Sequence, residues 1–307
     1  MTHPSEPVRE NISLRDKNTY RVGGCARYFA RCTDGIQVAA LLDWARNMQC
    51  AVFVLGRGSN LLISEDGWPG LVIHFDDDAA QTTAVTWQEN AATVSAALPL
   101  NDFVKDVTDR GCAGIEELAG IPGTVGGAVI MNAGAFSQCI ADTLYSVTCC
   151  SRSNGAISTV AAADLDLRYR GSSLKDTGDI VLSARFSFLK NAQPEELNRR
   201  RLDILARRKE KQPLDLPNCG SVFKRPPGNY AGTLIEKCGL KGERVGGAEV
   251  SHKHANFIVN TGSATATDIR RLIILVQKRV YEQSGILLEP EVIFVGPFDD
   301  DLFRPVE

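Results

Sequence analysis

The chain has 307 residues, 44% of them hydrophobic and 23% charged, with a net charge of -3 at pH 7. This is a globular balance, which excludes a disordered chain and offers nucleic acid no global attraction. A chain of this length buries roughly 75% of its unfolded surface, so neither metal nor disulfide staples are required, and it implies about two or three domains.

Residues 1–17 are polar and predict a loose lead-in, and the first seven show no charged-then-apolar signal pattern. Val38, Leu41, Leu42, Ala45 and Met48 follow helical spacing and predict a helix over 36–48. The short apolar run 51–55 reads as a strand, ended by a glycine turn at 56–60. With a further strand at 71–75 it opens a small α/β unit. Strands are predicted at 92–97, 145–150, 157–160 and 180–188. A helix over 101–110, capped by Asn101 and stopped by Gly111, interrupts them. The segment 111–136 is dense in glycine and poor in charge, unlike a surface loop. A composition shift at 190–196 predicts a linker.

The basic run Arg199-Arg200-Arg201, Arg207-Arg208-Lys209 and Lys211 falls in a helix-like segment closed by Pro213. Its plain reading is a solvated face, and its sharper one an anion-binding edge. Ile269, Leu272, Ile273, Val276 and Val280 mark one face of a helix over 268–283, with Thr267 as N-cap and Gly285 as stop. No repeat, low-complexity tract or stretch of transmembrane length stands out. The nine cysteines form no CxxC pair, which predicts scattered reduced thiols, no metal site and a cytoplasmic chain.

Gly56-Arg57-Gly58-Ser59-Asn60 ends a strand, where glycines let backbone N–H groups approach a phosphate and Ser59 and Asn60 add donors. A tight turn without a ligand fits nearly as well. Gly120-Ile121-Pro122-Gly123-Thr124-Val125-Gly126-Gly127-Ala128 suits a backbone lying close to a flat ligand or a diphosphate, with close packing as the alternative. It is neither GxGxxG nor a Walker loop. Ser221 is not in a GxSxG elbow, which leaves hydrolase chemistry with little support; taken alone it defaults to a structural role, with proton donation as the sharper reading. Residues 287–296 read as a strand with Glu289, Glu291 and Ile293 on one face; its plain reading is a surface strand, and its sharper one a functional carboxylate on a face where apolar residues should point. Arg170 is suited to bind a carboxylate bidentately, with Arg168 competing. His252 and His254 lack a third ligand and default to polar loop contacts.

Taken in order, residues 18–26, 55–61, 117–128, 132–135, Tyr169-Arg170, 220–224, 231–236, 246–248, 253–257 and 288–292 resemble the motifs of the MurB family, the UDP-N-acetylenolpyruvoylglucosamine reductases. The short interval between Tyr169-Arg170 and Ser221 resembles that family's compact second type. The resemblance implies an α/β (α+β) chain with a vanillyl-alcohol-oxidase-type FAD-binding fold. Its two subdomains would span 18–75 and 76–190, after the lead-in 1–17, and a C-terminal α/β substrate-binding domain would span 197–307. It also implies non-covalent FAD, NADPH as hydride donor, and reduction of UDP-N-acetylglucosamine enolpyruvate to UDP-N-acetylmuramate in peptidoglycan precursor synthesis. The reduced flavin N5 would deliver hydride to the substrate C3.

By matching position, Ser221 would donate the proton to C2, and Arg170 and Glu291 would stabilise the enolic carboxylate intermediate. Gly56, Arg57, Gly58, Ser59, Asn60, Gly120, Ile121, Pro122, Gly123, Thr124, Gly126, Gly127, Ala128 and Asn132 would bind the cofactor. Lys211, Lys224, Arg225, His254 and Asn256 would bind substrate. Two residues depart from the family pattern: Arg225 stands where Asn is common, and Cys219 where Ala is usual. No metal, nucleic acid, membrane or obligate protein partner is implied. The competing expectations are a flavin-dependent alcohol oxidase or dehydrogenase of the same architecture, and a non-catalytic binder of nucleotide sugars.

Overall fold

The computed structural model describes residues 7–75, 84–190 and 192–305. It comprises two compact units whose segments interleave along the chain. The first is Met1–Arg9, Phe29–Gly56 and Gly70–Arg208, and the second is Glu10–Tyr28, Arg57–Pro69 and Lys209–Glu307. The three-part division expected from the sequence groups these segments differently, because 18–28 and 57–69 belong to the second unit. Among the described residues the α-helices are α1 (Gly35–Asn47), α2 (Leu100–Asp109), α3 (Val125–Ile130), α4 (Ser173–Thr177), α5 (Pro194–Lys211), α6 (Ala231–Lys237) and α7 (Ala266–Ser284).

In the first unit, a five-stranded antiparallel sheet has the order Ile157–Ala161, Leu144–Cys150, Ile180–Ser187, Ala91–Ser95, Val85–Gln88. Period-2 alternation turns Ala92, Val94, Ala184 and Phe186 into a core shared with Leu100, Phe103, Val104 and Val107 of α2 and with Val125 and Val129 of α3. Each large apolar side chain buried there contributes roughly 1.5–3 kcal/mol. Val52–Leu55 runs parallel to residues 71–74, and α1 buries Val38, Leu41, Leu42 and Ala45 as its spacing predicts. Met48 follows the last helical residue and is exposed.

Two expectations in this unit are corrected. Asn101 does not cap α2: the helix starts at Leu100 after Pro99, and the Leu100 N–H donates out of the helix to the Gly123 carbonyl (3.0 Å). The Asn101 side chain instead accepts from the Gly120 N–H. The expected linker at 190–196 is also shorter, since α5 begins at Pro194, a residue preorganised for a first helical position and followed there by two glutamates. Residue 191 of that linker lies outside the described residues.

In the second unit, α7 packs on a three-stranded antiparallel sheet, Arg244–Val245, Ala248–Val250 and Ile258–Asn260, and α6 packs against α7 in the same core. Leu61–Ile63 pairs in parallel with Ile293–Val295. The core gathers Tyr20, Val22, Leu62, Phe223, Val250, Ile258, Ile269, Ile273 and Val276 from all three segments. The lead-in is not loose where it is described: Arg9–Ser13 is a strand, Arg15–Lys17 a turn of 3-10 helix, and Leu14 is fully buried. Residues 1–6 of that expectation lie outside the described residues.

The N-cap of α7 is Thr265, not Thr267, with a capping box to Asp268. Thr267 lies inside the helix, where its N–H (3.2 Å) and hydroxyl (3.0 Å) both donate to the Glu65 carboxylate. The Ala266 N–H donates there too, so a carboxylate sits on the positive end of the helix dipole. Gly285 closes the helix in the left-handed conformation (φ 68°). The strand expected at 287–296 is confined to Ile293–Val295, because the chain before it is drawn aside by an isolated bridge between Phe223 and Pro290.

Candidate active site

The glycine segment of the first unit is stitched to the turn before α2. Val125 N–H donates to Leu98 (2.9 Å), Gly126 N–H to Ala96 (2.9 Å), and the Thr124 hydroxyl caps α3 by accepting from Gly127 N–H (3.3 Å). Gly120 (φ 81°) and Gly123 (φ 127°) take conformations that a side chain would strain. A Cβ on Gly56 would lie 2.9 Å from the Thr124 hydroxyl oxygen, so the fold brings two segments singled out in the sequence into contact. Ile121 and Ala128 are half-buried and buried respectively, and Pro122 is exposed. Asn132 bridges backbone, donating to the Arg168 carbonyl (3.3 Å) and accepting from Ala141 N–H (3.0 Å).

Asn132 thereby anchors the turn that carries Arg170. Arg170 has a left-handed backbone (φ 58°), its guanidinium lies 5.0 Å from the Tyr169 ring centroid, and its Nη1 donates to Gly134 (3.4 Å). A bulky residue held in that conformation marks a site where the surroundings dictate the backbone. Arg168, the competing arginine, is engaged by Asp166 (2.5 Å) and by Asp176.

In the second unit, Ser221 and Glu291 are tied together through backbone. Glu291 N–H donates to Val222 (2.7 Å), the residue after Ser221, and Lys224 N–H donates to Glu289 (2.8 Å). Two asparagines lock this pairing. The buried Asn256 accepts from Phe223 N–H (3.1 Å) and donates to the Phe223 carbonyl (2.9 Å), and its own carbonyl accepts from Val222 N–H (2.8 Å). Asn60 donates to the Glu291 carbonyl (3.1 Å) and accepts on its backbone from Ile293 N–H (2.9 Å). Gly58, in the same turn (φ 62°), lies so close to Lys17 and Asn18 that a Cβ would fall 2.4 Å from the Lys17 carbonyl. Ser221 follows Gly220 (φ 82°), whose Cα faces open space, since a Cβ there would meet nothing within 4 Å.

Behind the serine, Cys219 and Tyr20 are buried side by side. Burial pushes the Cys219 thiol up to about 12; the Tyr20 hydroxyl acts against the rise and the Glu291 charge adds to it. Burial likewise holds Tyr20 well above its ordinary value. Lys224 forms an ion pair with Glu289, and Arg225 stacks 4.1 Å from the Tyr230 centroid. His254 packs edge-on to Phe257 (4.8 Å), and burial lowers its pKa. Lys211, the last residue of α5, is exposed.

Two protein-family descriptions match the chain: an FAD binding domain over residues 26–161, and the C-terminal domain of UDP-N-acetylenolpyruvoylglucosamine reductase over 212–295. A reductase of that name from Synechococcus sp. (strain RCC307) is 43% identical over 291 residues, covering 95% of each chain. One from Caldicellulosiruptor bescii is 40% identical over 296 residues, covering 96% of this chain and 92% of that one. The chain belongs to the UDP-N-acetylenolpyruvoylglucosamine reductase family. The crystal structure of the Thermus caldophilus MurB agrees in fold, with a TM-score of 0.79 at 34% identity over 95% of this chain and 100% of that one.

MurB membership makes the chain an FAD-dependent oxidoreductase of peptidoglycan precursor synthesis, with a mixed α/β fold in which an FAD-binding domain precedes the family's C-terminal domain. The residues fit a flavin nucleotide. Gly127 is exposed, and a Cβ there would meet only the Thr124 hydroxyl at 3.7 Å, so the glycine leaves room for a ligand against the backbone. No helix among the described residues is long and apolar enough to cross a membrane.

Sequence reasoning did not single out Phe136 or Tyr20, and it named Arg208 only within a basic run whose plain reading is a solvated face and whose sharper one is an anion-binding edge. Arg208 carried a signal: it follows the buried Ile204 by four residues in α5, which places it on the inward face of a helix otherwise read as solvated.

Proposed function

We propose that this reductase reduces UDP-N-acetylglucosamine enolpyruvate to UDP-N-acetylmuramate with NADPH as hydride donor, and that Ser221, Arg170 and Glu291 form its catalytic set. FAD, when bound, supplies the hydride chemistry. Ser221 gives the proton to C2 of the enolpyruvyl group. Arg170 offers a planar, permanently charged fork to the substrate carboxylate, and Glu291 stabilises the charge that develops as the double bond is lost. The backbone bond from Glu291 to Val222, locked by Asn256 and Asn60, carries this reading: it holds a hydroxyl donor and an acid in fixed register. Lys211, Lys224, Arg225 and His254 are assigned to the sugar nucleotide, whereas Asn256, expected among them, is buried and spends its side chain on the Phe223 backbone. The nine free cysteines suit the cytoplasm, where thiols stay reduced.

The test follows NADPH absorbance with the purified yellow protein, with and without the enolpyruvyl sugar nucleotide. NADPH loss only when that substrate is present supports the proposal. Loss indifferent to it removes the substrate assignment.

A further inference from the structure

We infer that Arg208, with the ring of Phe136, forms a binding site for a phosphate oxyanion beside the Gly120 turn. The inference rests on the reading of that turn as a cofactor-binding segment and assigns it a cation that the glycine motif itself lacks.

The arginines of α5 do not behave alike. Arg199 pairs with Glu196 (2.8 Å) and Asp203 (3.4 Å), Arg200 with Glu196 (3.0 Å), and Arg201 donates to the Asn198 side chain (3.0 Å). These are surface pairs of small energetic weight. Arg208 has no ion pair among the described residues, and its Nε is buried without a hydrogen-bond partner. Burial lowers its pKa, the sign of a guanidinium taken from water without a compensating carboxylate. A buried charged donor left unmatched is costly, and a ligand oxyanion would recover that cost.

Two further features place the missing partner. A Cβ on Gly120 would fall 2.5 Å from Arg208 Cδ and 3.1 Å from its Nε, so a glycine at 120 is what admits the arginine. On the other side, the guanidinium carbon lies 6.0 Å from the centroid of Phe136. Phe136 is 64% exposed and held with a left-handed backbone (φ 53°) at the tip of the hairpin Gly134–Ala135/Gln138–Cys139. The tip is fixed, not pliant: Glu117 accepts from Ser137 N–H (2.7 Å) and hydroxyl (2.9 Å), and its own N–H donates to Gln138 (2.9 Å). An exposed aromatic in a strained, braced turn, beside an unmatched cation, is a ligand-facing arrangement. A guanidinium fork matches phosphate oxygens bidentately.

The shared chemistry is a diphosphate, carried both by FAD and by a UDP-linked sugar. The test titrates FAD, riboflavin and UDP-N-acetylglucosamine into the full-length, flavin-stripped chain, wild type and R208Q, R208K and G127L. Circular dichroism establishes that each variant keeps the fold. R208Q is expected to weaken one diphosphate ligand about 10- to 100-fold, the effect of losing a charge-assisted hydrogen-bonded pair, with R208K intermediate. Loss for FAD but not riboflavin assigns the site to the cofactor, and loss for UDP-N-acetylglucosamine assigns it to the sugar nucleotide. Unchanged affinity for both diphosphates, or equal loss for FAD and riboflavin, overturns the inference. G127L separates the two layers of the argument. If it weakens FAD while R208Q does not, the glycine turn keeps its role and the arginine loses its own. If neither does, the cofactor reading of the turn fails as well.

Discussion

Ser221→Ala removes one hydroxyl from a loop whose backbone is held by Asn256, so the loop has no reason to move. Only reduction of the enolpyruvyl group needs a proton at C2. Stopped-flow measurement should therefore find flavin reduction by NADPH nearly intact and the second half-reaction slowed by about 10²–10⁴-fold, the usual contribution of a positioned general acid. Equal loss in both half-reactions would reject the proton-donor role. The thiols make a second prediction at this scale. Cys25 is exposed, whereas Cys32 and Cys219 are buried with thiols pushed up to about 12. Brief alkylation of the folded protein at pH 8, read by mass spectrometry, should label Cys25 and spare the other two, because the thiolate is the reacting species.

At the scale of elements, the two candidate caps of α7 separate cleanly. Thr265→Ala should cost about 1 kcal/mol in denaturant unfolding through loss of its cap to Asp268, and the effect should persist when Glu65 is changed to Gln. His254 adds a pH dependence. Its folded pKa is lowered chiefly by burial, with Lys241 lowering and Glu236 raising it, so the unfolded chain binds the proton first as pH falls. Its contribution is complete above the unfolded value near 6.5 and is lost as pH drops toward the folded value. Thermal melts between pH 7 and pH 5 should fall more steeply for the wild type than for His254→Gln.

Elements with strong patterning were legible in the sequence: α1, the inward face of α7, and four strands of the five-stranded sheet, whereas its edge strand Val85–Gln88 was not expected. The caps were not. Thr265 and Thr267 are the same residue type two positions apart, and Asn101 is a good cap by composition, so only the partners brought by distant chain decide between them. The glycine motifs were legible as places of close backbone approach, at Gly56 against Thr124 and Gly58 against Lys17. The division of labour within them was not: Asn60, read as a cofactor ligand, spends its side chain on the Glu291 carbonyl, more than two hundred residues away in sequence.

At the scale of the whole molecule, the second unit is assembled from three separated segments. Tyr20, Val22 and Leu62 lie in the same core as α7, the Asn260 side chain donates to the Tyr20 carbonyl (3.0 Å), and Leu61–Ile63 is the partner strand of Ile293–Val295. Residues 209–307 expressed alone therefore lack part of their core and a strand partner, although one family description falls wholly within them. Circular dichroism and amide dispersion of that fragment should report an unfolded or molten chain. A cooperative melt would show that the remaining core suffices.

The pairing of Leu61–Ile63 with Ile293–Val295 also sets a timetable for the protein's birth. On the ribosome the earlier strand emerges long before its partner exists, a wait of roughly 10–50 s at ordinary elongation rates. During that interval Leu61, Leu62 and Ile63, all buried in the finished protein, have no strand partner from the later segment. The nascent chain thus carries an unfinished apolar edge for most of its synthesis, a natural client for a chaperone that shields hydrophobic segments until translation ends.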